Sequence, residues 1–183
     1  KIDQEINLVV PVHLAGKACD MEGISIEARK KGIKILEDAS HAPLAEYSDS
    51  KGNKYKVGAC DHSDITIMSL HAIKHIAMGE GGVILTNSKL YAEEAKKLRN
   101  HGIIRDSKSW TGIAKEKNAS WYYEMHNLGW NYRATEMQCA LGRGQLSLLN
   151  QSLKTRAKIA EKYNNSLKNI DGLSLPEKNK NGE

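Results

Sequence analysis

The apolar positions in the first part of the chain form short blocks that are separated by one helical segment. Residues 6–12 are apolar and β-branched, which predicts a buried strand. Residues 21–31 place apolar side chains on one side and charged side chains on the other, as an amphipathic helix does, and Gly32 can cap its end. Residues 33–36 form a second apolar strand. A strand, a helix and a strand with short connections predict a βαβ unit of a parallel sheet.

The rest of the chain continues this alternation and ends in helical segments. The further predicted elements are, in chain order, a loop or small hairpin over 47–61, strands over 64–68 and 82–86, a helix from Asn87 or Ser88 to about His101, an irregular stretch over 103–130, and helical stretches over 135–149 and 153–167. A connection as long as the irregular stretch is usually functional or partner-binding. Together these patterns predict an α/β fold with a mostly parallel sheet flanked by helices.

Composition excludes several classes of protein. With 40% hydrophobic and 27% charged residues among 183, the chain has the composition of a soluble protein. We expect no membrane partner, since no apolar run approaches the roughly 20 residues of a membrane helix. The net charge is +5, but the lysines are scattered among glutamates without interleaved aromatics, so nucleic-acid binding is not expected. The cysteines, Cys19, Cys60 and Cys139, lack metal-ligand spacing, which predicts no metal and fits a cytoplasmic location.

Polar side chains gather where the predicted strands end, the edge at which open α/β sheets bind ligands. Lys74 follows the strand over 64–68 and precedes a glycine-rich turn that would let backbone approach a ligand. Alone, Lys74 would fit an exposed surface lysine much better than a site residue. A desolvated lysine loses proton affinity, and its neutral amine can form a Schiff base with an aldehyde cofactor. The glycines are not GxGxxG and precede a strand, so a Rossmann dinucleotide site fits poorly.

Asp38 comes directly after the apolar strand over 33–36 and Glu37. In isolation it would fit a solvent-exposed acid at a strand end. An ionised carboxylate next to buried residues needs a partner, and a protonated pyridine nitrogen is one. Such a carboxylate raises the pyridine pKa and keeps the ring an effective electron sink. Asp38 and Lys74 are therefore candidates for contacting opposite ends of one cofactor.

Four segments in order carry a family resemblance: ILEDASHA, SLHAIKHIAMGEGG, LRNHGIIRD and LGWNYRATEMQCALGRGQL. With them the chain resembles the DegT/DnrJ/EryC1/StrS sugar-nucleotide aminotransferases from about residue 8 to 167. That family has the type I pyridoxal-phosphate fold. Residues 121–125 and 131–133 are especially similar to the pseudaminic-acid branch, whose enzymes aminate C4 of a UDP-linked 4-keto-6-deoxy-N-acetylhexosamine.

The resemblance implies a pyridoxal 5'-phosphate site built from four residues of this region. Lys74 would bind the cofactor covalently, and Asp38 would pair with its ring nitrogen. His41 would contact the ring or its phenolic oxygen, and Ser69 would bind the phosphate. Two simpler interpretations stay open, because His41 could only hydrogen-bond the strand end and Ser69 could cap a helix.

The resemblance also implies a homodimer with active sites at the interface. Asn131, with Arg133, would reach the phosphate of the neighbouring subunit's cofactor. Arg133 fits a surface ion pair equally well. The Trp and Tyr side chains within 110–132 fit packing better than substrate stacking.

By resemblance, the reaction would move an amino group, with glutamate as donor, onto the keto carbon of a nucleotide-linked deoxy sugar. Residues 1–150 would be part of the cofactor-binding large domain, and residues 151–183 would be a connecting helix and the start of a small domain. Family members are roughly twice this long, so we expect a chain truncated at both ends that alone is inactive or binds the cofactor weakly. Two alternatives remain: a dehydratase of the same fold, some of which carry His in place of the lysine, or an inactive paralogue acting as a dimerisation module.

Overall fold

The computed structural model describes residues 6–111 and 120–176, and this part of the chain forms an α/β fold around three small sheets. Its strands are β1 (Leu8–Val9), β2 (Lys34–Asp38), β3 (Glu46–Ser48), β4 (Lys54–Lys56), β5 (Ile65–Ser69), β6 (Gly82–Leu85), β7 (Ile103–Ile104) and β8 (Glu124–Met125). The largest sheet has the order β1-β2-β5-β6, in which β1, β2 and β5 are parallel and β6 is antiparallel to β5. The predicted mostly parallel α/β architecture is confirmed.

The prediction of a buried strand over residues 6–12 is wrong in length and in burial. β1 has only two residues, and Val12 adds a single bridge to Asp38. β1 lies at the edge of its sheet, so Leu8 and Val10 remain 48% and 47% exposed. An apolar run indicates a strand, but it does not show whether the strand has one neighbour or two.

The core lies between β2 and α1 (Met21–Lys30), where the predicted helix is confirmed. The carboxylate of Asp20 caps the helix by accepting a backbone N–H of its first turn. The helix stops before Gly32, whose φ of +68° is the left-handed conformation that glycine adopts without strain. The buried apolar core consists of Met21, Ala28, Ile33, Ile35, Ala39, Ala42, Tyr47 and Val57.

Two antiparallel pairs lie outside the main sheet. β3 and β4 form a hairpin, as predicted for residues 47–61. β7 and β8 pair within the stretch over 103–130, which the sequence predicts to be irregular. Residues 112–119 of that stretch lie outside the described residues.

Two longer helices complete the described chain. α2 (Lys89–Arg99) begins after Ser88, whose hydroxyl accepts the N–H of Tyr91. α3 (Glu136–Leu167) is one continuous helix of 32 residues, which corrects the prediction of two separate stretches. The residues at 150–152 are polar but include neither proline nor glycine, so nothing in them breaks a helix. The domain boundary placed at residue 150 therefore falls inside α3, and that division of the chain stays a prediction.

α3 lies along the loop between β5 and β6, which contains Lys74. Nε2 of Gln138 donates a hydrogen bond to the carbonyl oxygen of Glu80 at 3.0 Å. One turn further on, a Cβ on Gly142 would meet the Cβ of Met78 at 3.4 Å, an ordinary contact distance, so helix and loop are in close contact. Across the described helices, none combines the length and the hydropathy needed to cross a membrane.

Candidate functional site

The carboxyl ends of β2 and β5 place the predicted site residues at one edge of the sheet. β2 ends at Asp38, β5 ends at Ser69, and the two strands are adjacent and parallel. The N–H of Ala39 donates to the carbonyl oxygen of Ile67 at 2.9 Å, so the chain beyond β2 continues beside β5. This is the edge at which an open α/β sheet binds its ligands.

A small pocket lies between these strand ends and the loop that follows β5. Its polar lining comes from Ser40, Ser69, Lys74 and His75, and its remaining lining residues are apolar. The partly buried Lys74 is positioned by a turn in which its N–H donates to the carbonyl oxygen of His71 at 2.9 Å. Lys74 is therefore not a fully exposed surface lysine, and its role in a site stays a prediction.

The carboxylate of Asp38 is held in its ionised form. Burial alone would raise the pKa of Asp38, but hydrogen bonds from the hydroxyl and the N–H of Ser40 act against burial. The nearby His41 and Lys74 add a favourable electrostatic contribution, and the net result is a pKa of Asp38 below its ordinary value. The bond from the N–H of Ser40 is 2.9 Å long. Asp38 and Lys74 therefore interact electrostatically.

The two serines of the pocket are joined by a hydrogen bond. The N–H of Ser69 donates to the hydroxyl oxygen of Ser40 at 3.2 Å. The hydroxyl oxygen of Ser69 accepts the N–H of His71 at 3.3 Å, as in a turn, and in the described chain no helix directly follows Ser69, so the helix cap of the simpler interpretation is absent. Ser69 lines the pocket, and its hydroxyl proton can be donated to an anion.

His41 makes a structural hydrogen bond, but its partner is not the strand end that the simpler interpretation names. Its Nδ1 accepts the N–H of Ala15 at 3.3 Å, which ties the segment after β1 to the end of β2. His41 also contributes to lowering the pKa of Asp38, so it lies beside the site. The contact with Ala15 leaves Nε2 of His41 available to a ligand.

Asn131 and Arg133 lie apart from the other four predicted residues. Asn131 forms an isolated bridge with Asn100, and a guanidinium nitrogen of Arg133 donates to Oδ1 of Asn100 at 2.7 Å. Both residues are exposed. The bond from Arg133 goes to an amide, so the predicted surface ion pair is absent among the described residues.

The aromatic residues near this segment divide into two groups. Trp110 is buried and packs edge-on against Tyr122, as the packing interpretation predicts. Others are exposed, and the most exposed large apolar side chains of the segment are Trp121, Tyr123, Met125, Leu128, Trp130 and Tyr132. Trp130 nevertheless stacks on Tyr132, and for these exposed side chains the packing interpretation stays a prediction.

A buried polar network that the sequence pattern does not indicate surrounds Glu37, the residue before Asp38. Glu37 accepts hydrogen bonds from His13 at 2.7 Å, from Ser63 at 2.9 Å and from Thr66 at 2.7 Å. Glu37 was visible as a second acid at the end of β2, and strand alternation places it on the face opposite Asp38. Its partner His13 is far away along the chain, and no local pattern identifies it.

His75, for which no sequence pattern predicts a role, lines the pocket. Its Nδ1 is buried and, within the described part of the chain, has no hydrogen-bond partner. Burial lowers the pKa of His75, and the positive charge of Arg156 on α3 lowers it further, as do His41 and Lys74. His75 therefore favours its neutral form and lies where α3 approaches the Lys74 loop.

The sequence pattern of the DegT/DnrJ/EryC1/StrS aminotransferases matches residues 1–183. The chain belongs to this family. A UDP-4-amino-4,6-dideoxy-N-acetyl-beta-L-altrosamine transaminase of Campylobacter jejuni is 36% identical over 163 residues, which are 89% of this chain and 38% of that protein. The chain spans about two fifths of the length of the curated relatives that it matches.

Solved structures of this aminotransferase family share the fold. PseC of Helicobacter pylori, an aminotransferase of pseudaminic-acid biosynthesis, superposes with a TM-score of 0.78 at 29% identity and covers 93% of this chain and 41% of PseC. Spr1654 of Streptococcus pneumoniae, described as a putative sugar aminotransferase in its PMP form, has a TM-score of 0.79 at 22% identity, with 99% and 48% covered. This second likeness concerns the fold alone.

The DegT/DnrJ/EryC1/StrS family depends on pyridoxal phosphate, and the chemistry of the pocket fits that cofactor. An amine at Lys74 can bind an aldehyde, an ionised carboxylate at Asp38 can hold a protonated ring nitrogen, and the hydroxyl of Ser69 can donate to a phosphate.

Proposed function

We propose that the protein of which this chain is part transfers an amino group from glutamate to the C4 keto carbon of a nucleotide-linked deoxy sugar, with pyridoxal phosphate bound to Lys74. One observation carries the proposal: the ionised Asp38 interacts electrostatically with Lys74 at the carboxyl edge of the sheet, where Lys74 lines a pocket together with Ser40, Ser69 and His75. The similarity to a transaminase of a UDP-linked amino sugar supports the substrate class.

Asp38 would hold the ring nitrogen of the cofactor in its protonated form. Its lowered pKa keeps the carboxylate ionised at neutral pH, so a positive charge beside it is stabilised. When bound, pyridoxal phosphate supplies an electron sink that acidifies the α-carbon of an amino acid. Ser40 fixes the direction of the Asp38 carboxylate by donating to it from its backbone N–H.

Lys74 would have two roles. Its amine would bind the aldehyde of the cofactor before the donor arrives. Once released, the amine would move a proton between the α-carbon of glutamate and the C4' position of the cofactor. The turn that bonds the N–H of Lys74 to His71 keeps the amine at the pocket during both steps. The donor would leave as its keto acid, without its amino group, before the sugar binds, so this order predicts ping-pong kinetics.

The active sites would be shared between two copies of the chain. Asn131 and Arg133 are exposed and contact Asn100, so in this chain they are bound to neither Lys74 nor Asp38. An exposed apolar surface over residues 121–132 adjoins them, and large exposed apolar surfaces usually mark an interface. These features support a homodimer in which Asn131 and Arg133 reach the cofactor of the partner.

The direct test uses the full-length protein, isotope-labelled glutamate and a panel of keto-sugar nucleotides. Mass spectrometry should find the labelled nitrogen on the sugar, and borohydride should fix the cofactor to Lys74. The variant Lys74→Ala should lose both results, whereas Lys89→Ala, which removes an exposed lysine at the start of α2, should retain both. A product that has lost a hydroxyl and carries no label would identify a dehydratase instead. A full-length protein that takes up no cofactor would favour the dimerisation module.

Subunit complementation tests the shared site. Lys74→Ala and Asn131→Ala should each be inactive alone. After the two are unfolded and refolded together, random pairing should restore about a quarter of the wild-type activity, because half of the dimers contain one intact site. Absence of any recovery, with mixed dimers demonstrated, would show that Asn131 serves its own subunit.

A further inference from the structure

One buried residue holds the end of β2 in two ways. The backbone N–H of His13 donates to the carbonyl oxygen of Asp38 at 3.0 Å. The imidazole Nε2 of His13 lies 2.7 Å from Oε1 of Glu37. His13 is fully buried and Glu37 is 2% exposed. A single residue thus fixes the main chain at Asp38 and the side chain immediately before it.

The hydrogen bonds assign the proton on the ring of His13. Nδ1 accepts the backbone N–H of Cys19 at 3.0 Å, so the ring proton is on Nε2 and points at Glu37. Burial alone would raise the pKa of Glu37, but the hydrogen bonds from His13, Thr66 and Ser63 outweigh it and lower the pKa. His13 is therefore a fixed donor to a buried anion.

The direction of Asp38 depends on this arrangement. Side chains at successive strand positions point to opposite faces, so a rotation of the strand end that released Glu37 would also turn Asp38. The N–H of Asp38 donates to the carbonyl oxygen of Pro11 at 2.9 Å, and therefore Pro11 and His13 bond to Asp38 on both sides of its α-carbon. The side chain of His13 anchors that segment to β2 through Glu37.

We infer that His13 and Glu37 are a positioning pair that fixes the direction of the Asp38 carboxylate, which interacts with Lys74. Neither residue lines the pocket, so they act through Asp38 and touch no ligand there. The inference rests on the proposed function for its purpose, because a bound pyridine ring is what gives the direction of Asp38 a chemical role.

Two substitutions of His13 separate the hydrogen bond from the packing of the ring. In His13→Gln the side-chain amide reaches the position of Nε2 and can still donate to Glu37. In His13→Asn the amide reaches only the position of Nδ1, so Glu37 loses this donor. Both variants remove the ring, and both keep a polar group in the core.

The readout is the pKa of the Asp38 carboxyl, measured by NMR on the cofactor-free, full-length protein with carbon-13 aspartate. In His13→Asn we expect the pKa of Asp38 to rise toward its ordinary value, because the bonds from Ser40 loosen once the strand end is released. His13→Gln should leave it near the wild-type value. The pairing is wrong if both variants change this pKa equally, or if neither changes it.

Two further variants keep the test decisive should His13→Asn not fold. Glu37→Asp keeps the charge but withdraws the carboxylate by one methylene from His13, and it should also raise the pKa of Asp38. Thr66→Val removes a different donor to Glu37 and should leave Asp38 unchanged. If Glu37→Asp and Thr66→Val changed the pKa of Asp38 equally, a specific role for His13 would be contradicted.

Cofactor binding gives an independent measurement. His13→Asn and Glu37→Asp should weaken pyridoxal-phosphate binding by about tenfold, the size expected for one charge-assisted hydrogen bond, while His13→Gln binds nearly as the wild type does. If the wild-type protein binds no pyridoxal phosphate, the proposed function fails. The NMR titration still decides whether His13 and Glu37 position Asp38.

Discussion

The carbonyl oxygen of Asn127 occupies the space that a Cβ atom on Gly102 would need. Gly102 is buried between the end of α2 and β8, and its φ is +68°. This close backbone contact connects the helix end to the segment that carries Asn131. The position therefore requires glycine for two reasons, its conformation and its lack of a side chain.

Gly102→Ala should lower the free energy of unfolding by about 2–4 kcal/mol, which combines a left-handed conformation with overpacking. Gly32→Ala is a matched control, because its φ is also +68° but nothing lies within 4 Å of the added Cβ. Gly32→Ala should lower the free energy of unfolding by about 1 kcal/mol. Chemical denaturation of both variants measures the difference, and equal losses would show that the contact with Asn127 contributes nothing.

Asp38→Asn should reduce the turnover of the full-length enzyme by about 100-fold or more, since an amide cannot hold a protonated ring nitrogen by charge. Asp61→Asn, a change at an exposed acid outside the pocket, should retain turnover. Steady-state kinetics with saturating cofactor separates this effect from weaker cofactor binding. Full activity of Asp38→Asn would remove Asp38 from the site.

Acid should destabilise the protein partly through Glu37. Its pKa in the folded protein lies below the ordinary 4.5, so its stabilisation is complete above that pH. As the pH falls below 4.5, Glu37 is protonated first in the unfolded chain. The stabilisation from Glu37 therefore decreases until the pH reaches the lower pKa of Glu37 in the folded protein. Glu37→Gln should flatten this part of the stability curve and cost about 1–3 kcal/mol at neutral pH.

Urea denaturation between neutral and acid pH measures the contribution of Glu37. The exposed Glu93, which pairs with Lys96 on α2, provides the control, and Glu93→Gln should follow the wild-type curve. If Glu37→Gln keeps the full wild-type acid dependence, the proton uptake belongs to other carboxylates.

Arg156→Gln should raise the pKa of His75 toward its ordinary 6.5, because the substitution removes a positive charge that disfavours the imidazolium. Burial remains, so the return should be incomplete. An NMR titration of the His75 ring protons measures the shift. Lys158→Gln, two positions along the same helix, should leave this pKa unchanged. If the arginine variant has no effect, the two side chains are too far apart in solution to interact.

Local patterns in the sequence predicted the elements that carry Lys74 and Asp38. Each residue follows a short apolar strand, and parallel strands bring their carboxyl ends to one edge of the sheet. Contacts between segments distant in sequence could not be predicted in this way. The bond from His13 to Glu37 joins residues 24 positions apart, and the exposure of β1 depends on its place at the sheet edge.

The roles of Asn131 and Arg133 came only from the family resemblance. Neither position has a local pattern that indicates a ligand, and the described part of a single chain gives them Asn100 as their partner. A residue that acts in a neighbouring subunit leaves no trace in the hydrophobic periodicity of its own chain. Complementation between subunits is therefore the informative experiment for these two residues.

α3 is one continuous helix, and residues near its start contact the loop that contains Lys74. From Gln138 to Leu167 the helix extends about 43 Å. A tilt of about 5° around Gln138 would displace the far end by about 4 Å and would also move Leu149, which is only 3% exposed. The burial of Leu149 therefore opposes such a tilt and limits the movement of the residues after Leu167 relative to the Lys74 loop.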